Sequence, residues 1–237
     1  MIGIIGAMEE EVRLLKSKIE QAEEKKIATF TFLSGLLEGK QVCLLQCGIG
    51  KVNAAVGCAL LIHTFEPSLV INTGSAGGIR TGLKCGDVVI AKSVMYHDVD
   101  LTAFDYQPGQ IPGMPQVFSI PDTMIALTHE AIRQLKNEAA LPETFYAMQG
   151  LIASGDTFMH EPYRISTMRS HFPDIDAVEM EAAAITHTCL LWHVPTVVIR
   201  AVSDNADYES PLAFNEFLPI ASRHSAEIVR RIIKLLP

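Results

Sequence analysis

The chain has 237 residues, 49% of them hydrophobic and 19% charged, which is enough apolar material to bury one substantial core, so a single domain over residues 1–237 is expected. A formal net charge of −8 without a block of Lys or Arg argues against nucleic acid or an anionic membrane surface as a partner, and no apolar run approaches the ~20 residues that span a bilayer. The cysteines at 43, 47, 58, 85 and 189 are odd in number and lack a CxxC pair, so they make neither a disulfide framework nor a zinc site. The opening also lacks the charged start and apolar stretch of a secretory signal, and a soluble cytoplasmic protein with reduced thiols is expected.

Strand-like and helix-like segments alternate along the chain, which is an α/β pattern. Residues 2–5 read as a short strand and 9–19 as a helix; 29–37 and 41–46 read as a strand pair turned at Glu38-Gly39-Lys40. In 52–65 the apolar positions Ala54, Ala55, Cys58, Leu61, Ile62 and Phe65 recur at helical spacing, so one face should pack on the sheet. Residues 69–72 read as a strand followed by a loop over 73–79, and 87–96 as a longer strand. The stretch 106–116, with three prolines and two glycines, is the least regular and reads as a surface excursion with a functional or interface use. Next come a helix over 121–136, a strand over 146–154, a short helix over 161–171 after the Gly155-Asp156 turn, a helix over 180–192 and a last core strand over 195–202. A closing helix begins with Ser210 as N-cap and Pro211 in its first turn, and Leu218, Ala221, Ser225, Ile228, Ile232 and Leu235 fall on one stripe.

Acidic residues stand at several junctions that follow apolar runs: Glu9-Glu10-Glu11, Glu179-Met180-Glu181, and Ser203-Asp204. In open α/β sheets ligands bind beyond the carboxyl ends of strands, so carboxylates there suggest a catalytic pocket. Each group also has a plain structural reading. Negative charge is favoured in the first turn of any helix, and an aspartate after a strand can serve an Asx turn. Three adjacent residues cannot share one helix face, so one member of the 9–11 triplet is expected to point back at the strand end.

Gly48-Ile49-Gly50-Lys51 resembles the end of a P-loop, but a Walker A loop needs a glycine where Leu45 stands and a hydroxyl residue where Val52 stands. Gly74-Ser75-Ala76-Gly77-Gly78 lacks the order of a dinucleotide fingerprint. Both stretches still follow strands and let backbone approach a ligand closely, so they read as binding loops or as tight turns. His97, His160 and His187 are isolated and show no metal-ligand spacing, and Ser75, Ser154 and Ser203 lie outside any G-x-S-x-G elbow, so neither a metal nor nucleophilic catalysis is expected.

Taken in order, Gly3-Ile4-Ile5-Gly6-Ala7-Met8-Glu9-Glu10-Glu11, Gly48-Ile49-Gly50-Lys51, Asn72-Thr73-Gly74-Ser75-Ala76-Gly77-Gly78, Ser154-Gly155-Asp156, Val178-Glu179-Met180-Glu181 and Arg200-Ala201-Val202-Ser203-Asp204 span essentially the whole chain. This set closely resembles the bacterial 5'-methylthioadenosine/S-adenosylhomocysteine nucleosidase family. The resemblance implies the nucleoside phosphorylase and nucleosidase α/β fold, with a central mixed, partly barrel-like sheet flanked by helices, and a homodimer without cofactor. It implies hydrolysis of the bond between adenine N9 and ribosyl C1', of 5'-methylthioadenosine, S-adenosylhomocysteine and 5'-deoxyadenosine.

By the same resemblance, Asp204 protonates adenine N7 with Ser203 orienting it, Glu11 is the general base for water, and Glu181 accepts hydrogen bonds from the ribose hydroxyls. Met180 lies against the sugar, Glu179 supports the water or sugar side, and Arg200 fixes one of these carboxylates. Adenine stacks on Phe158 and meets backbone near Met159, while Ala7, Met8, Ile49, Ser75, Gly77 and Phe214 line the rest. Leu101, Phe104 and Pro112 match the positions that complete the 5'-thio pocket of the neighbouring subunit, which would give the irregular segment its use. Met159 stands where relatives often carry Ile or Val, and Cys47 where serine is frequent; the segment 141–146 looks longer than in relatives and is assigned no role.

Three other readings share much of this sequence. A phosphorylase would use phosphate in place of water, but the acid triplet repels phosphate and no Arg precedes Arg80 in the 72–80 stretch. A non-catalytic purine-binding regulator would not need both Glu11 and Asp204. Aminofutalosine as substrate is not separated by sequence.

Overall fold

The computed structural model describes residues 1–206 and 210–237. Its strands are β1 (Ile2–Gly6), β2 (Glu20–Ile27), β3 (Phe30–Leu37), β4 (Lys40–Gln46), β5 (Leu69–Gly78), β6 (Val88–Tyr96), β7 (Val117–Ser119), β8 (Ala147–Ser154), β9 (Ile175–Glu179) and β10 (Thr196–Asp204). The helices are α1 (Glu9–Lys16), α2 (Lys51–Phe65), α3 (Asp122–Asn137), α4 (Pro162–His171), α5 (Ala182–Leu191) and α6 (Ser210–Leu235). One mixed sheet runs β10-β6-β8-β9-β5-β1-β4-β3-β2, and β10 pairs back onto β5. Strands β5, β10, β6, β8 and β9 therefore close into a five-stranded ring, and β1, β4, β3 and β2 continue from it as an open wing.

The apolar strand ends dictate this closure. All nine residues of β10 are buried, as expected of a strand with neighbours on both sides and helices outside, here parallel β5 and antiparallel β6. β1 is likewise buried throughout, running parallel to β4 and β5 with Ile2 opposite Val42 and Leu69. The parallel run β4, β1, β5 and β10 brings four carboxyl ends to one rim.

Several elements depart from the sequence expectation. The glycine-rich stretch expected as a loop over 73–79 is strand to Gly78, pairing with β10 on one side and β9 on the other. Its glycines answer to crowding: a Cβ on Gly74 would sit 2.8 Å from Glu11 Oε1, and one on Gly77 3.1 Å from Asp204 Oδ1. The unexpected strand β2, Glu-Gln-Ala-Glu-Glu-Lys-Lys-Ile, is almost wholly exposed and covers the sheet edge with charge. α1 and α5 are shorter than the expected 9–19 and 180–192.

α6 packs against α1, α3, β5 and β10, with Ala221, Ser225, Ile228 and Ile232 of its predicted stripe buried. Ser210 is its first residue; the loop expected over 204–209 lies partly in residues 207–209, outside the described residues. The 141–146 segment is a turn that buries Leu141 and Phe145, with the Phe145 ring edge-on to His224 at 5.4 Å. None of the five cysteines is in a disulfide; four of them are buried and Cys85 partly so. No helix among the described residues is long and apolar enough to cross a membrane.

Candidate active site

At the rim where β1, β5, β9 and β10 end, a cleft of about 480 Å³ is lined by Ala7, Met8, Glu11, Ile49, Ser75, Ala76, Gly77, Phe158, Val178, Glu179, Met180, Glu181, Ser203, Asp204 and Phe214. Its apolar walls with a few convergent carboxylates suit a small molecule. The acid triplet divides as helix geometry requires: Glu9 and Glu10 are exposed, and Glu11 is buried, facing β5. Glu11 Oε2 accepts the N–H groups of Ala7 (2.9 Å) and Met8 (3.1 Å), and Oε1 accepts the N–H (2.8 Å) and Oγ–H (2.9 Å) of Ser75. Three of these donors are fixed backbone. The Ser75 hydroxyl alone can swing away and leave a lone pair for a water, because it turns about a single bond.

Asp204 stands at the end of β10, where a bulge at Ser203 leaves Val202 opposite Ala76 and Asp204 opposite Gly77 of β5. Its Oδ2 accepts the Ser203 hydroxyl at 2.9 Å and its Oδ1 the Ala206 N–H at 2.9 Å, so the carboxyl is held from both sides while facing the cleft.

Glu181 precedes α5 and accepts the Gly50 N–H at 2.8 Å on Oε1. Burial, and after it the negative charge of Glu179, pushes its pKa up to about 8, although the Gly50 N–H and Arg200 pull the other way. Glu179 also lines the cleft, with its carboxylate engaged on the inner side. Its carboxylate accepts the N–H groups of Glu181 (3.0 Å) and Ala182 (2.9 Å), capping α5, together with the Ser154 hydroxyl and the Arg200 Nη2 (2.6 Å). Arg200 is fully buried and also donates to Asn72 Oδ1 at 2.6 Å. Burial alone would lower the Arg200 pKa, but Glu179, Glu11 and Glu181 raise it overall, so the guanidinium stays charged.

The apolar wall comes from Met8, Ile49, Val178, Met180, Phe158 and Phe214, with the rings of Phe158 and Phe214 edge-on at 6.0 Å. Phe158 is 41% exposed and Ile49 53% exposed, large apolar side chains left open at a cleft mouth. Met159 does not line the cleft; its side chain is buried among Ile79, Met95 and Phe172. Leu101 is half-buried and Phe104 and Pro112 are exposed, and none of the three lines this chain's own cleft. Ala76 and Val178 line it without having been singled out from sequence. Ser154 and Asn72, which hold Glu179 and Arg200, were visible only as members of motifs. No group of His, Cys, Asp and Glu arranged to hold a metal occurs among the described residues.

Residues 1–234 match the model of the phosphorylase superfamily. The chain is 48% identical over 235 residues to the 5'-methylthioadenosine/S-adenosylhomocysteine nucleosidase of Geobacillus sp. (strain WCH70), covering 99% of this chain and 98% of that one. It is similar to the crystal structure of the 5'-methylthioadenosine/S-adenosylhomocysteine nucleosidase of Neisseria meningitidis in complex with methylthio-immucillin-A, with TM-score 0.94 and 45% identity over 99% of both chains. At 32% identity and TM-score 0.91 it is also similar to the futalosine hydrolase of Helicobacter pylori, over 99% of this chain and 97% of that one. A cleft rimmed by Glu11, Glu181 and Asp204 on a closed five-stranded ring, together with these likenesses, shows that the chain belongs to the 5'-methylthioadenosine/S-adenosylhomocysteine nucleosidases of the phosphorylase superfamily.

Proposed function

We propose that this chain is an N-ribosyl hydrolase that cleaves the N9–C1' bond of 5'-methylthioadenosine and S-adenosylhomocysteine, releasing adenine and the 5-thio-substituted ribose. The observation that carries it is the pairing of Glu11, held by four donors, with Asp204, held by Ser203 and Ala206, in one cleft. As the bond breaks, its electron pair moves onto the adenine ring, and Asp204 gives a proton to N7 so that adenine leaves neutral. Water adds to the oxocarbenium-like C1' while Glu11 takes its proton. Glu181 accepts hydrogen bonds from the ribose hydroxyls and, in its ionised form, opposes the positive charge developing on the sugar. Adenine lies on Phe158 with Phe214 beside it, reaching backbone near Met159, and Ala7, Met8, Ile49, Ser75, Gly77 and Met180 enclose the rest.

Hydrolysis is favoured over phosphorolysis by the lining itself. Among the described residues that form the cleft none is a lysine or arginine, and Arg200, behind it, is engaged by Glu179 and Asn72. The enzyme works as a cytoplasmic homodimer in which Leu101, Phe104 and Pro112 complete the apolar 5' pocket of the partner subunit, and the chemistry suits salvage of methionine sulfur. Likeness to a futalosine hydrolase makes aminofutalosine the second substrate to try.

The test is release of adenine from 5'-methylthioadenosine by purified protein, with and without inorganic phosphate. Adenine and a reducing thio-sugar in phosphate-free buffer are expected. A sugar 1-phosphate formed only with phosphate would replace this reading by a phosphorylase.

A further inference from the structure

The carboxylate of Glu181 owes its place to a loop outside its own helix. Its Oε1 accepts the N–H of Gly50, a residue with φ of +97° at the end of the Gly48-Ile49-Gly50 loop. That loop is tied in turn by the next residue. The Lys51 N–H donates to Asp156 Oδ1 at 2.8 Å, and the Lys51 ammonium lies 2.6 Å from Asp98 Oδ2 and 3.8 Å from Asp156 Oδ2. Asp98 Oδ2 also accepts the Asp156 N–H at 2.9 Å. Three segments, those following β4, β6 and β8, are thereby joined beside the cleft by two carboxylates and one ammonium.

The join is close-fitting. A Cβ on Gly155 would sit 2.3 Å from His97 Cε1, so the turn that carries Asp156 rests directly on the ring of the residue before Asp98. A Cβ on Gly50 would come within 3.1 Å of Asp156 Oδ1. Burial works against ionised Asp98, but the Lys51 ammonium and the Asp156 N–H hold its pKa below its ordinary value. The side chains of Lys51, Asp98 and Asp156 are 23%, 24% and 49% exposed, and ion pairs that wet contribute little to global stability. Their effect is therefore local, on where the loop ending in Gly50 stands.

We infer that Asp156, braced by Lys51 and Asp98, is a positioning residue for the cleavage: it fixes the 48–50 loop so that the Gly50 N–H holds the Glu181 carboxylate at the sugar. This rests on the reading that Glu181 meets the ribose hydroxyls. Asp156 acts only through Gly50 and Glu181.

The experiment is a cycle of adenine release from 5'-methylthioadenosine under single-turnover conditions with Asp156→Ala, Glu181→Ala and the double variant. Asp156→Ala alone should lower the rate by about 10- to 100-fold, the scale of a misplaced catalytic group. Asp156→Asn, which keeps an oxygen for the Lys51 N–H, should recover most of it. In the Glu181→Ala background the further change at 156 should cost less than about twofold, as coupled residues require. An equal loss in both backgrounds, or a rate near wild type in Asp156→Ala, would overturn the inference. Lys51→Met carries the same cycle, with a smaller loss, should Asp156→Ala fail to fold.

A second readout needs no turnover. Glu179 from β9, Glu11 from α1, Arg200 from β10 and the Gly50 N–H all face Glu181. Carboxyl NMR of Glu181 in Asp156→Ala should titrate at higher pH than in wild type, because a donor to the ionised form is lost. An unchanged midpoint would overturn the brace even if no nucleoside were cleaved, whereas a raised midpoint in a protein inert toward 5'-methylthioadenosine would uphold the brace and sink the substrate.

Discussion

At Glu11, four donors converge on one buried carboxylate, and only the Ser75 hydroxyl can yield its place to a water. Glu11→Gln keeps size but puts an amide where an acceptor pair is needed, and Asp204→Asn removes the transferable proton. Each should lower kcat by about 10²- to 10⁴-fold with the melting temperature little changed, the range for loss of a general acid or base. Near-normal turnover in either variant, measured by adenine release, would refute that residue's role.

Glu181 makes a prediction of a different kind. Its folded-state pKa, up to about 8 from an ordinary 4.5, means that the folded protein binds a proton more tightly than the unfolded chain. Stability from this group is thus complete below about pH 4.5 and lost as pH rises through about 8. Glu181→Gln should flatten that decline. Unfolding curves from pH 5 to 8 with parallel slopes in both proteins would contradict it.

Among the elements, α5 shows how a site is built from the back. The strand residue Glu179 caps the helix, takes the Ser154 hydroxyl and neutralises Arg200, so β8, β9, β10 and α5 meet on one carboxylate. Glu179→Gln would leave Arg200 charged and poorly matched in the interior, a loss of about 3–5 kcal/mol. Urea denaturation should show a lower midpoint with an unchanged slope. A midpoint equal to wild type would mean that Arg200 finds other partners.

The same elements mark how far sequence reaches. Buried strands such as β1 and β10 announce themselves by unbroken apolar runs, and the acids that follow them point to a pocket, but it is the resemblance to the nucleosidase family that picks out Glu11, Glu181 and Asp204 among them. β5 misleads beyond Asn72: Gly74, Gly77 and Gly78 read as a turn, yet glycine is there because Glu11, Asp204 and Val202 press on the strand. That pressure comes from residues distant in sequence, which local propensity does not register. β2 is hidden for a related reason, since its charges suit an exposed sheet edge and carry no period. The link from Gly50 to Glu181 joins residues 131 positions apart, a contact that spacing alone does not reveal.

For the whole molecule, the cleft is built on one chain while Leu101, Phe104 and Pro112 stand away from it. If they serve a neighbour, mixing settles it. Glu11→Gln and Phe104→Ala protomers, each weak in its own homodimer, should regain activity when exchanged. A mixed dimer has one cleft with intact Glu11 and a partner that brings an intact Phe104. Absence of any gain after verified exchange would remove Phe104 from the neighbour's pocket.

The return of β10 to β5 has a consequence for how the molecule breathes. An open sheet can peel from its edge, but a ring must part at two seams before any of its strands is free. Glu179 and Asp204 belong to strands of that ring, and Glu11 is fastened to it through Ser75. Amide hydrogens of Ile199, Ala201 and Val202 should therefore exchange only through global opening, with free energies equal to that of unfolding, while those of β2 exchange far sooner. Whatever suppleness substrate entry demands is then left to the side chains of Ile49, Phe158 and Phe214 at the mouth, while Glu179 and Asp204 keep their places as long as the ring holds.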